Sequence, residues 1–115
     1  MTYEEIFKKS KEIIMQSDVS DIPGHLAVQI NIVGEGEGAF YVELKDGALY
    51  VEPYEYYDRD CKFIVSAKDF LKLANGSLNA VFAYTTGKLK VEGSLEKALE
   101  FQRIVDAVKT KQKKK

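Results

Sequence analysis

The sequence has little of what covalent chemistry uses. Among 115 residues it holds one cysteine, Cys61, one histidine, His25, no tryptophan and two prolines. A lone cysteine excludes an intrachain disulfide framework and fits a reducing, cytoplasmic setting. One histidine and one cysteine far apart give no zinc-ligand spacing, and no calcium-loop pattern occurs, so no metal or cofactor is expected. Neither sign of charge dominates. With 17 basic and 18 acidic residues the net charge is -1, which excludes a general pull toward nucleic acid. Long apolar runs are missing too: "MTYEEIFKKSKEIIMQ" mixes acids and lysines into its apolar positions, unlike a signal peptide or a membrane span.

What is present is a globular composition, 45% apolar and 30% charged. A chain of this length makes one domain that buries about two thirds of its unfolded surface. Thr2 and Glu5 have capping-box spacing, and Tyr3, Ile6, Phe7, Ser10 and Ile14 follow at helical spacing, which predicts a first helix to about Met15. Pro23 and Gly24 break the pattern. Leu26, Val28, Ile30 and Ile32 then alternate with Ala27, Gln29, Asn31 and Val33, a first strand; Phe40, Val42 and Leu44 give a second. Leu49 and Val51 give a third, after the turn dipeptide Asp46-Gly47. These three read as an antiparallel meander.

Cys61, Phe63 and Val65 make a fourth strand. Ser66 and Asp69 open a short helix that Asn75-Gly76 ends, and a second short helix follows, capped by Ser77, with Leu78, Val81 and Phe82 on one face and Gly87 as its stop. Leu89 and Val91 mark a fifth strand. Ser94 caps a final helix whose apolar set, Leu95, Ala98, Leu99, Phe101, Ile104, Val105 and Val108, is wider than one stripe. Residues 1–109 thus form the domain, and 110–115 a lysine-rich mobile tail suited to weak contact with an anionic membrane.

Catalytic patterns fail on inspection. "GEGEGA" (34–39) matches a dinucleotide fingerprint, but strand alternation follows it where a helix is needed, and Glu35 and Glu37 would repel phosphate, so it reads as a hairpin loop. His25 has no neighbouring nucleophile, and Cys61 shares a strand face with Phe63 and Val65, the pattern of a small buried hydrophobe. Asp58 and Asp60 flank Arg59 as in a solvated turn. Tyr50, Tyr54, Tyr56 and Tyr57 sit among acids, which opposes nucleic-acid stacking and suits a covered sheet edge or the lip of an apolar opening.

One stretch carries more. "DCKFIVSAKDFLKLANGSLNAVFAYTTGKLKVEG", with Gly76, Asn79, Gly87 and the lysine-bearing strand in register, resembles the sterol carrier protein type two family, the non-specific lipid-transfer domain; the likeness runs from Asp60 to Val105. The resemblance implies an α+β fold: a five-stranded mixed, largely antiparallel sheet, covered by helices on one face, with a hydrophobic lipid-binding cavity. It implies non-enzymatic binding, and transfer, of fatty acids, acyl-CoA esters, sterols or phospholipids, with no catalytic residue. Carried onto matching positions, the lipid-lining set is Phe70, Leu78, Val81, Phe82, Tyr84 and Thr85, with Phe101, Ile104 and Val105 on the last helix. Each is equally an ordinary core position. Ala80 stands where relatives often have proline, and Tyr84 and Thr85 where they carry aromatics, which points to a pocket of altered shape or polarity. An alternative is an accessory or dimerisation module of the same fold that binds a protein partner; monomer and homodimer both remain open.

Overall fold

The computed structural model describes the backbone of residues 1–113 and side chains as far as Ala107. The first helix, α1 (Tyr3–Ile14), starts in a reciprocal capping box: the Thr2 hydroxyl accepts from the Glu5 amide while the Glu5 carboxylate accepts from the Thr2 amide. Ile6, Ser10 and Ile14 are its buried stripe.

Four strands follow: β1 (Leu26–Val33), β2 (Gly38–Lys45), β3 (Ala48–Glu52) and β4 (Cys61–Ser66). The Asp46-Gly47 turn between β2 and β3 has positive φ at both residues, 53° and 76°, the twist that suits a tight hairpin. After β4 come α2 (Ala67–Asn75), α3 (Ala80–Thr85), β5 (Leu89–Gly93) and α4 (Leu95–Lys113). Spatial order in the sheet is β3-β2-β1-β4-β5. β1 and β4 run parallel, with Val28 opposite Cys61, and every other pair is antiparallel. This is the mixed α+β sheet expected, and the β1–β2–β3 meander forms as predicted.

Alternation gives the sheet two unlike faces. Leu26, Val28, Ile30, Phe40, Val42, Phe63 and Val65 point toward the helices and are buried. There a chain of rings runs through the core: Phe7 meets Phe40 edge-on at 5.4 Å, Phe40 meets Phe70 at 5.6 Å, Phe70 lies 6.1 Å from Phe101, and Phe101 meets Phe63 at 5.3 Å. Cys61 packs on this side as the small hydrophobe expected, and burial pushes its thiol up to about 12.

Two boundaries differ from the sequence reading. The second short helix is capped by Asn79, whose side chain accepts from the amides of Val81 and Phe82, and not by Ser77. Asn79 wins because its carboxamide oxygen reaches two free amides at once, while Ser77 lies in the turn after Gly76, the left-handed C-cap of α2. Leu78 therefore precedes α3 instead of sharing its face. At the other end, α4 carries helical backbone through 110–113, the first part of the expected lysine-rich tail; Lys114 and Lys115 lie outside the described residues, as does the Val108 side chain.

Candidate functional site

The proposed lining residues divide into two groups. Phe70, Phe101, Ile104 and Val105 are fully buried between the sheet and the helices, and Leu78 is buried at the start of α3. Val81, Phe82, Tyr84 and Thr85 lie on the outward side of α3; relative exposures are 50% for Val81, 55% for Phe82 and 41% for Tyr84. Only Ala80 and Ala83 of this six-residue helix face inward. A helix with alanines inside and large apolar side chains outside reverses the usual amphipathic order.

α4 adds to the same character. Leu95 and Leu99, at i,i+4, are 40% and 37% exposed. They share a stripe with Gln102, whose side-chain oxygen accepts from the Ala80 amide at 3.1 Å, so the stripe reaches the N-terminus of α3. Leu89 and Val91 of β5 close the core beneath. Sequence reasoning named the α3 residues through the resemblance, but it missed Leu95 and Leu99 as surface groups because their spacing fits a core face equally well.

The outer face of the sheet is polar and built. Glu43 of β2, almost fully buried, accepts from the Tyr56 hydroxyl at 2.8 Å and meets His25 Nε2 at 2.6 Å through the same oxygen. The bond to Glu43 raises the Tyr56 phenol above its ordinary range. The Tyr56 ring lies 4.9 Å from that of Tyr41, and its amide donates to the Gln29 side chain. Tyr56 therefore folds the β3–β4 connection over the outer face, while Tyr50, Tyr54 and Tyr57 remain exposed. His25 and Cys61 stand on opposite faces, so they form no nucleophile-base pair. Asp60 is no solvated turn residue: its carboxylate accepts from the Ala27 amide at 2.8 Å, and its backbone bonds both Ala27 and Ser94. It pins the starts of β1, β4 and α4 together.

An open cleft of about 460 Å³ lies apart from both regions, beside α2 and the ends of β1 and β4. Among the described residues, no three of His, Cys, Asp and Glu are grouped to hold a metal ion, and no helix is long and apolar enough to cross a membrane.

The five-stranded mixed sheet with helices over one face places the chain among α+β folds. Residues 3–106 match the SCP-2 sterol transfer family, and the chain belongs to it. It is 36% identical over 80 residues to sterol carrier protein 2 of Arabidopsis thaliana, covering 66% of this chain and 65% of that one. To human sterol carrier protein 2 it is 31% identical over 105 residues, covering 90% of this chain but 19% of the relative. In fold it is similar to palmitated SCP2L2 from Aedes aegypti, with a TM-score of 0.65, 20% identity, and 91% and 95% of the two chains covered. The chain thus spans about two thirds of the Arabidopsis relative and about a fifth of the human one.

Proposed function

We infer that this domain is a non-enzymatic lipid carrier that holds one acyl or sterol-like ligand between α3 and the helix-covered face of the sheet, and passes it on by equilibrium release. The ligand classes proposed are fatty acids, acyl-CoA esters, sterols and phospholipids. One observation carries the reading: α3 exposes Val81, Phe82 and Tyr84 while resting on Ala80, Ala83 and the Gln102 bond. Turning α3 about its flanking glycines, Gly76 and Gly87, brings its apolar side chains onto a ligand that also meets Phe70, Phe101, Ile104 and Val105. The two groups of lining residues then form one surface.

Burying about ten methylenes supplies roughly 8 kcal/mol of gross transfer energy, which after association costs suits micromolar binding. Such energy selects no head group; Tyr84 and Thr85 at the rim supply what selectivity there is. Residues 1–109 are the binding unit, with 110–115 a lysine-rich extension available to anionic membranes, and the cytosol is the proposed setting. The palmitated form of the Aedes aegypti relative supports the ligand class.

Titration of the delipidated domain with a fluorescent long-chain fatty acid tests this, alongside native mass spectrometry and organic extraction of freshly purified protein. Saturable one-to-one binding is expected. No saturable binding overturns the reading, and a lipid-free dimer held through α3 and α4 points instead to the accessory module.

A further inference from the structure

The α2 cleft is not part of the α3 surface. Four residues of α2, Lys68, Leu71, Lys72 and Asn75, recur at i, i+3, i+4 and i+7 and line it, opposite the buried stripe of Phe70, Leu73 and Ala74. Its apolar floor is Leu71, Ala67 and Val33, the last being a half-exposed valine at the end of β1. β1 and β4, the parallel pair, both end at this cleft, at Val33 and Ser66.

Its charge is one-sided. The carboxylate in its wall, Glu35, is held by the Met1 amino group, which lowers the Glu35 pKa below the usual carboxylate range. Lys68 and Lys72 have no carboxylate partner among the described residues. A neighbouring cleft that shares Val33 and Ser66 adds Lys88 and Lys90 against the single carboxylate of Asp69. An apolar floor with an unneutralised cationic rim matches a ligand that has one apolar chain and one anionic head.

We propose that the α2 cleft is a second ligand site, which takes a single-chain alkyl carboxylate with its chain on Val33, Ala67 and Leu71 and its head between the Lys68 and Lys72 ammonium groups. Its volume, about 460 Å³, falls within the ordinary range for small-ligand pockets. The site stands independently of the α3 reading.

The test is amide NMR on the full chain, titrated with decanoate and, separately, with decanol and decyltrimethylammonium. Decanoate is expected to move the amides of Val33, Ala67 and Leu71, and to bind more tightly than decanol by up to about tenfold at low salt, since each exposed ion pair contributes little. Lys68→Gln with Lys72→Gln is expected to erase that preference; both positions are exposed, so the fold is retained. Val81→Asp with Phe82→Asp is expected to abolish long-chain binding at α3 while the α2 shifts remain. If long-chain binding fails in the parent chain but the α2 shifts persist, only the α3 reading falls. Equal binding of decanoate and decanol, an unchanged preference in the double glutamine variant, or decanoate shifts absent from α2 overturns the proposal.

Discussion

The backbone N–H of Ala80 donates to the side-chain oxygen of Gln102 at 3.1 Å, and this tethers the first residue of α3 to the middle of α4. Gln102→Met keeps the volume and removes the acceptor. The variant is expected to lose about 1–3 kcal/mol, because Ala80 is buried and its amide is left without an acceptor. Hydrogen exchange in residues 78–87 should quicken more than in the strands, and fatty-acid uptake should quicken with it. Unchanged exchange in α3 would show that the tether does not hold the helix.

Glu43 joins three parts of the chain on the outer face, so Glu43→Ala should loosen them together. It removes the acceptor of the Tyr56 hydroxyl and the partner of His25, and should lower stability in urea denaturation. Tyr56→Phe removes one of the two bonds and should cost less. The Tyr56 phenol, raised by its bond to Glu43, should return toward its ordinary value in Glu43→Ala. An unmoved phenol titration would count against this account of the loop.

Cys61 should be silent toward thiol reagents in the native protein at pH 8 and react at once in denaturant. Burial raises the folded thiol from 9.0 to about 12, so between these values the unfolded chain binds fewer protons than the folded one. Stability is therefore full below pH 9 and falls as pH rises toward 12. Cys61→Ala, compared with its parent across that window, should show a shallower fall. A parallel pair of curves would refute the assignment.

The glycine loop offers a sharper contrast. A β-carbon on Gly38 would lie 2.3 Å from Cδ1 of the Tyr3 ring, whereas one on Gly34 would meet nothing within 4 Å but sit at a φ of +82°. Gly38→Ala should cost about 1–3 kcal/mol through collision, with loss of the 2.5 Å bond from the Tyr3 hydroxyl to the Ala39 carbonyl. Gly34→Ala should cost about 1–2 kcal/mol through backbone strain alone. Adding Tyr3→Ala should relieve the first substitution and leave the second unchanged, as a double-mutant cycle would reveal.

These residues also show how far sequence carries. Alternation placed all five strands, because a sheet with one covered face repeats every two residues and Phe40, Val42 and Leu44 cannot all turn outward. The capping pairs at Thr2 and Ser66 were legible for the same local reason. The existence of α3 was legible as well, but its start and facing were not: Leu78, Val81 and Phe82 have helical spacing, yet Asn79 starts the helix one residue after Leu78, and the alanines take the inner side. Periodicity records that residues share a face, not which way the face points. The roles of Glu43 and Asp60 were hidden because their partners, Tyr56, His25 and Ala27, come together only when the sheet assembles. The grouping of Lys68 and Lys72 with Val33 likewise depends on the parallel register of β1 and β4.

That parallel pair also sets the order in which the chain can fold. β1, β2 and β3 are joined by short turns and can zip up locally, but β1 keeps an unpaired edge until β4 arrives from the far side of the long tyrosine-bearing connection. During synthesis the half-made sheet therefore exposes Val28, Ile30 and Ile32 and an open row of backbone amides, the features that invite pairing between chains. The step that removes this hazard is the docking of β4 with α2 directly behind it, and chain concentration during refolding should decide whether the yield is monomer or aggregate.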